Sequence, residues 1–195
     1  MMKRLLFVCT GNTCRSPMAE GLMRSIAARE GLAGLEIRSA GVAAYQGVPI
    51  SDHAASVLRA RGAEPVSGST ALSQQLVEWS DLVLTMTSSH KRHTIQLYPA
   101  SVDKVFTLKE YVQADPEGEQ RLAELESLLS ELQLKQALGE SIGDEERRRL
   151  SALQQQQSSP DIEDPFGGSI RHYQSSADEI EQCLHLLAAK LKRES

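Results

Sequence analysis

A cysteine and an arginine lie close together near the start of the chain, in the stretch CTGNTCRS. Cys9 follows an apolar run at residues 5–8, and five residues separate it from Arg15. A thiolate is a strong nucleophile, and a guanidinium presents a planar fork of N–H donors that matches two phosphoryl oxygens. This pairing predicts a cysteine that attacks a bound phosphoryl group.

The residues around this pair favour an anion site. Ser16 suits the N-cap of a helix and Pro17 suits its first turn. The loop would therefore deliver its backbone N–H groups and a helix N-terminus to one point. Gly11 permits a backbone turn that a Cβ would hinder. A positive cup of this kind favours a reactive thiolate at Cys9.

The stretch CTGNTCRS resembles the phosphate-binding loop of the low-molecular-weight protein tyrosine phosphatase family, which has a cysteine, five residues, an arginine, and a serine or threonine. A second stretch, DPFGGS at residues 164–169, resembles the general-acid loop of that family. The resemblance extends over about residues 3–113 and 161–192. It implies a phosphatase that works through a phosphocysteine intermediate, with no metal and no other cofactor.

The family pattern gives a role to three side chains. Cys9 is the nucleophile, and Arg15 holds the phosphoryl oxygens and stabilises their charge in the transition state. Asp164 protonates the leaving group, and its carboxylate then activates the water that hydrolyses the phosphocysteine. Asp115 also precedes a proline, and the choice of Asp164 rests on the FGG that follows it and on the family pattern.

The remaining predicted contacts to phosphate or substrate are Thr10, Gly11, Asn12, Thr13, Cys14, Ser16 and Phe166. Asn12 either holds the loop through side-chain hydrogen bonds or is only a turn residue that tolerates positive φ. Ser16 either caps the helix and also donates to the Cys9 thiolate, or only caps the helix. In the family, a cysteine placed like Cys14 can form a disulfide that shields the nucleophile from oxidation, and the alternative is an inert cysteine.

Two positions set the predicted substrate. Family members that act on phosphotyrosine usually carry a bulky aliphatic residue where this chain has Thr13, and they often have adjacent tyrosines where it has Phe166 and Gly167. The threonine form resembles the protein-arginine phosphatase branch. A polar rim and the Asp164 carboxylate can hydrogen-bond a guanidinium leaving group, and Phe166 can stack on it. A neutral variation at Thr13 would leave phosphotyrosine as the substrate.

Other polar side chains have more ordinary interpretations. His90 and His93 lie three residues apart on a predicted helix and are expected on its solvated face, and Cys183 is expected in the core. Many family members have a histidine supporting the loop where this chain has Ser67. Support from Ser39 can survive this change, while the outer hydrogen-bond network is in question.

Strands alternate with helices along the chain, which predicts βαβ units and a parallel sheet. Strands are predicted at residues 5–8, 35–39, 81–87 and 104–107, and helices at residues 17–30, 51–62, 72–80, 88–98 and 169–192. The family resemblance implies a flavodoxin-like α/β fold. Its four-stranded parallel sheet has the order 2-1-3-4, with helices on both faces.

Residues 114–160 do not fit this plan. Strand-forming residues are almost absent, and leucines recur every three or four positions, which predicts one or two helices. Acidic residues outnumber basic residues by 12 to 5 in residues 115–163. We predict a single domain over residues 1–195 with an acidic helical insertion. The insertion is a solvated hairpin, a lid or a docking surface for basic protein partners.

The composition, with 41% apolar and 24% charged residues, is that of a globular protein. The net charge of −5 argues against a general nucleic-acid binder. No apolar run is long enough to span a membrane, and the N-terminal apolar run is too short for a signal peptide. Three cysteines do not make a disulfide framework, and they fit a reducing cytoplasm.

Four functions are compatible with these motifs. The first is a cytoplasmic phosphatase that removes phosphate from arginine residues of proteins, and the second applies the same chemistry to phosphotyrosine. An arsenate reductase shares the fold and the loop, but it needs downstream resolving cysteines, of which only Cys183 is available. A non-catalytic phosphate-binding module is opposed by the presence of Cys9, Arg15 and Asp164 together.

Overall fold

The computed structural model describes residues 3–113, 116–156 and 159–193. Its sheet has four parallel strands: β1 (Lys3–Cys9), β2 (Leu35–Gly41), β3 (Leu82–Thr85) and β4 (Val105–Thr107). These strands lie in the order β2-β1-β3-β4. The predicted sheet order is therefore confirmed.

Eight α-helices are described, of which five lie within two residues of their predicted bounds, while the helix Leu108–Gln113 was not predicted. They are α1 (Arg15–Glu30), α2 (Asp52–Ala60), α3 (Gln74–Trp79), α4 (Ser88–Leu97), α5 (Leu108–Gln113), α6 (Pro116–Ala137), α7 (Asp144–Gln156) and α8 (Ile170–Arg193), with a 3₁₀ turn at Pro99–Lys104. Within the described ranges, no helix is both long and apolar enough to cross a membrane.

Local capping signals fix the starts of three of these helices. Ser51, Ser73 and Thr87 each accept a hydrogen bond from the backbone N–H three residues later, at the starts of α2, α3 and α4. At α4, Thr87 occupies the cap position and Ser88 is the first helical residue.

The strand β1 is buried on both sides of the sheet. Leu5 and Phe7 pack into the larger apolar cluster, with residues of α1, α2 and α8, while Leu6 and Val8 pack into a smaller cluster on the other face. All four side chains are fully buried, which accounts for the continuous apolar run that precedes Cys9. The strand thus delivers Cys9 to the carboxyl edge of the sheet, where parallel strands commonly present ligand sites.

The chain divides into two compact units. One comprises the chain up to Val112 and from Pro160 onward, and the other is Gln113–Ser159. In the second unit, helices α6 and α7 are in contact, and Arg149 of α7 forms an ion pair with Glu124 of α6 at 2.6 Å. The prediction of a single domain with an insertion stays a prediction.

Candidate active site

Cys9 is the last residue of β1 and lies at the floor of the loop that follows it. Its side chain is buried, and its Sγ lies 3.0 Å from the hydroxyl of Ser16. The loop is tied to the end of β2, since the N–H groups of Val42 and Ala43 donate to the carbonyls of Cys9 and Thr10 at 3.0 and 2.9 Å. The cysteine sulfur is therefore held in a fixed place beside a hydroxyl donor.

The structure corrects the predicted start of α1. Arg15 is already helical, and Cys14 occupies the N-cap position without a side-chain capping bond. Ser16 is not the cap, and its hydroxyl is used elsewhere. It accepts from Asn12 Nδ2 at 2.8 Å and donates to Ala40 O at 3.3 Å, and it lies 3.0 Å from Cys9 Sγ, where a thiolate would accept its proton. Both interpretations of Ser16 made it the helix cap and are wrong in that respect, while the contact to Cys9 is present.

Asn12 makes the side-chain hydrogen bonds of the first interpretation, and its backbone also has a positive φ. Its φ is 53°, in the left-handed region, and its side chain is fully buried. The amide nitrogen donates to Ser16 Oγ and Ser39 Oγ, both at 2.8 Å, and the amide oxygen accepts from Thr70 N at 2.7 Å. Because a buried amide with these partners is locked in place, Asn12 fixes the shape of the loop.

The glycine that the loop needs is not the one predicted. A Cβ at Gly11 would meet only Thr13 Oγ1 at 3.6 Å, an ordinary contact, and Gly11 is not among the residues with positive φ. A Cβ at Gly41 would lie 2.8 Å from Asn12 N and closer still to the carbonyl of Thr10. Gly41 therefore allows β2 to approach the loop backbone. The RSAG stretch that ends β2 was the available signal.

The outer support of the loop comes from Glu20, which the sequence did not single out. Ser39 donates to the Glu20 carboxylate, whose other oxygen accepts from Arg24 Nη2 at 2.5 Å. Burial raises the pKa of Glu20 above its ordinary value. Ser67, which stands where many family members have a histidine, lines a cavity of about 400 Å³ beside these groups. The predicted support from Ser39 is present.

Arg15 lies almost entirely buried on the first turn of α1, with 4% of its surface exposed. Its Nη1 donates to the carbonyl of Ile162 at 3.1 Å, and its Nη2 donates to Asp164 Oδ2 at 2.5 Å. Among the described residues, Arg15 Nε and Thr94 Oγ1 are the buried side-chain polar atoms without a hydrogen-bond partner. A buried N–H donor without an acceptor is costly, and a bound oxyanion would satisfy it.

Asp164 reaches the phosphate loop from a segment about 150 residues away in sequence, since its ion pair with Arg15 spans 149 positions. The base of this segment is fixed: Ser88 N and Oγ donate to Asp161 Oδ1 at 2.7 and 2.9 Å, and Lys109 Nζ donates to Asp161 O at 2.9 Å. Half of the Asp164 side chain is exposed, and Oδ1 accepts from Phe166 N at 3.1 Å. The structure therefore brings this carboxylate to Arg15, and its role as the general acid stays a prediction.

The rim of the loop carries Thr13 and, from the acid loop, Phe166. Thr13 is half-buried and its carbonyl accepts from Ser51 N at 2.9 Å. Phe166 is 78% exposed, so its ring is free to meet a ligand.

The two cysteines beyond Cys9 are buried. Cys14 Sγ lies 3.2 Å from the hydroxyl of Tyr173. Cys14 and Cys183 are both free thiols. The predicted pairing of Cys14 with Cys9 stays a prediction. Cys183 packs in the core, where burial raises the pKa of its thiol to about 11.

The prediction for His90 is wrong. His90 is buried, with 7% of its surface exposed, whereas His93 is exposed as expected. Its Nε2 lies 2.8 Å from Thr10 Oγ1 and its Nδ1 lies 2.9 Å from Thr87 Oγ1. Burial, together with the positive charge of Arg15, lowers the pKa of His90 to about 4. The signal in the sequence was a threonine cap followed three residues later by the histidine.

The arrangement defines a class of protein. A family model described as low molecular weight phosphotyrosine protein phosphatase matches residues 4–136. Its match covers well over half of the chain, and the fold and the loop agree with it. The chain belongs to this family.

Within this family, the chain is similar to proteins named as arginine phosphatases. A protein-arginine-phosphatase from Geobacillus stearothermophilus is 36% identical over 194 residues, 100% of this chain and 99% of the relative. One from Bacillus subtilis is 37% identical over 190 residues, 97% of each chain. A solved YwlE arginine phosphatase, a cysteine-to-serine mutant with a phosphorylated active site serine, is 36% identical with a TM-score of 0.72, covering 97% of this chain and 95% of that chain.

Proposed function

We propose that this chain is a cysteine-dependent phosphatase that hydrolyses phosphoarginine in proteins. The observation that carries the proposal is the position of the Arg15 guanidinium between the phosphate loop and Asp164. The guanidinium lies next to the loop that holds Cys9, its Nε has no hydrogen-bond partner among the described residues, and its Nη2 binds the distant Asp164 at 2.5 Å. This reaction needs three groups: an arginine that binds the anion, a nucleophile, and a carboxyl group that acts as general acid and then as general base.

The proposed reaction has two displacements at phosphorus. In the first, Cys9 Sγ attacks, the S–P bond forms, the P–N bond breaks, and Asp164 gives its proton to the departing guanidine nitrogen. In the second, the Asp164 carboxylate takes a proton from a water molecule that attacks phosphorus, and the S–P bond breaks. Ser16, 3.0 Å from Cys9 Sγ, stabilises the thiolate as it departs.

Substrate preference rests on the rim. The Thr13 hydroxyl makes that part of the rim polar, and the exposed ring of Phe166 stands two residues from Asp164. A guanidinium can donate to hydroxyl and carboxylate oxygens and stack on an aromatic face, whereas a phenyl ring gains little from a polar rim. The full-length relatives named protein-arginine-phosphatase support this assignment.

Phosphotyrosine hydrolysis is the alternative that the family description supports. Arsenate reduction fits poorly, because Cys183 is buried in the core with a pKa raised to about 11 and is poorly suited to resolve a disulfide. A non-catalytic phosphate-binding module would have no use for Asp164 on Arg15.

The test is hydrolysis of matched phosphoarginine and phosphotyrosine peptides by the wild type, Thr13→Ile and Thr13→Ser. We expect the wild type to prefer phosphoarginine, Thr13→Ser to keep the preference because it keeps the hydroxyl, and Thr13→Ile to shift toward phosphotyrosine. Cys9→Ser should abolish turnover of both peptides. A wild type without preference would defeat the arginine assignment, and full turnover by Cys9→Ser would remove Cys9 from the reaction.

The proposal extends to partners and location. The family acts on phosphorylated proteins, and we propose that the acidic unit Gln113–Ser159 docks basic protein substrates. Replacing residues 115–160 by a short linker should then weaken turnover of a phosphorylated protein and leave turnover of a short phosphopeptide unaffected; equal effects on both would refute docking.

We place the activity in the cytoplasm, which the free cysteines support.

A further inference from the structure

A chain of hydrogen bonds runs from the start of α4 to the phosphate loop. It consists of the side chains of Thr87, His90 and Thr10, with separations of 2.9 Å at Nδ1 and 2.8 Å at Nε2. His90 is buried, while Thr10, the residue directly after Cys9, is exposed. The imidazole therefore connects the cap of α4 to an accessible hydroxyl beside the nucleophile.

The contacts of Thr87 bear on the tautomer of His90, which sets whether His90 donates to Thr10 or accepts from it. The hydroxyl oxygen of Thr87 already accepts from the backbone N–H of His90 at 3.2 Å, the capping bond of α4. Nδ1 of His90 lies 2.9 Å away, within reach of the proton of this hydroxyl. A neutral imidazole that accepts at Nδ1 carries its proton on Nε2. In that tautomer, His90 Nε2 donates to Thr10 Oγ1 at 2.8 Å.

If Thr10 accepts from His90 Nε2, the proton of the Thr10 hydroxyl is available for another acceptor. A hydroxyl that accepts from Nε2–H keeps its own O–H for another acceptor. The charged groups that act on His90 are Arg15, Asp164 and Asp161, with His93 of its own helix, so the imidazole borders the proposed active site. Burial and the charge of Arg15 lower the pKa of His90 to about 4, so the ring is neutral at pH 7.

We propose that His90 is a positioning residue that turns the hydroxyl of Thr10 toward the site, where its O–H donates to an oxygen of the bound phosphoryl group. The inference rests on the proposed function and deepens it. His90 does not touch the substrate, and it acts through Thr10. Because one hydrogen bond to a charged acceptor is worth about tenfold to a hundredfold in affinity, loss of the hydroxyl should be readily measured.

The kinetic test is a double-mutant cycle on a phosphoarginine peptide. Thr10→Val should lower kcat/KM by about tenfold or more, and Thr10→Ser should restore most of it. His90→Phe should cause a smaller loss that disappears in the Thr10→Val background, since its effect passes through the hydroxyl. Additive losses would overturn the positioning role, because a structural defect adds to the loss at Thr10. The exposed histidine on the same helix supplies the control, and His93→Phe should have no effect.

Two measurements do not depend on turnover and separate this inference from the proposed function. Long-range ¹H–¹⁵N spectra, assigned with His90→Gln, should show Nε2 protonated and Nδ1 unprotonated at neutral pH. Calorimetry with inorganic phosphate should show weaker binding in Thr10→Val and unchanged binding in Thr10→Ser. A proton on Nδ1, or equal phosphate affinity in Thr10→Val, would overturn the inference even in an active phosphatase. An inactive wild type that passes both tests would overturn only the proposed function.

Discussion

Acidification should destabilise the native protein through His90. The pKa of this imidazole is about 4 in the folded chain, because burial and the charge of Arg15 disfavour the imidazolium, and its ordinary value is 6.5. Between these two pH values the unfolded chain binds a proton that the folded chain does not. Stability therefore falls as the pH falls from about 6.5 toward 4, and the contribution of His90 is constant above this window.

The size of the effect follows from the two values. At about 1.4 kcal/mol for each tenfold difference in proton affinity, the full gap corresponds to about 3 kcal/mol. At pH 4.5 the loss relative to pH 7 is about 2 kcal/mol, because the titration is not complete there. Glu20 has a raised pKa and contributes with the opposite sign, but it is present in every variant and cancels in a comparison.

The assay is urea unfolding at pH 7 and pH 4.5 of the wild type, His90→Gln and His93→Gln. The glutamine at position 90 stays neutral, so this variant should lose about 2 kcal/mol less than the wild type on acidification, whatever its stability at pH 7. His93→Gln replaces an exposed histidine and should follow the wild type. Parallel pH dependence in the wild type and His90→Gln would show that the buried imidazole is not held neutral.

Substitutions at Gly41, Ser16 and Asn12, in or beside the phosphate loop, give further expectations. Gly41→Ala places a Cβ against the backbone of Thr10 and Asn12, so it should lower the free energy of unfolding by about 1–3 kcal/mol and remove activity; unchanged urea unfolding would contradict the close approach. Ser16→Ala removes the donor to Cys9 Sγ, and we expect alkylation of Cys9 by iodoacetamide at pH 7 to slow by about tenfold; an equal rate would show that the hydroxyl donates elsewhere. Asn12→Gly keeps the left-handed backbone but loses three side-chain hydrogen bonds, so turnover should fall as far as in Asn12→Ala. Wild-type turnover in Asn12→Gly would mean that positive φ is all the loop requires.

The sheet and the phosphate loop could be predicted because local signals carry them. An apolar run, a short loop and a helix start around Cys9 and Arg15 are contiguous, and strand and helix alternation implies a parallel sheet. The order 2-1-3-4 was implied by the family resemblance, because the residues of a strand do not determine which other strands pair with it.

The features that sequence reasoning missed depend on contacts between distant segments. His90 is separated from Thr10 by 80 positions, so its burial could not be read from the helix that carries it. Gly41 matters because of a close approach to another loop, and Glu20 because a distant serine donates to it. The predicted cap at Ser16 failed for a related reason: its hydroxyl is engaged by Cys9 and Asn12 instead of the helix.

The most direct test of the central claim is to find where the phosphoryl group goes. Cys9→Ser should accept it from a phosphoarginine protein and hold it as a stable phosphoester, because an alkoxide leaves far less readily than a thiolate. Mass spectrometry of the digested variant should locate one phosphoryl group at position 9, and the same experiment with Arg15→Ala should locate none. Phosphate released at the wild-type rate with position 9 unmodified, or a phosphoryl group on another residue, would contradict the account.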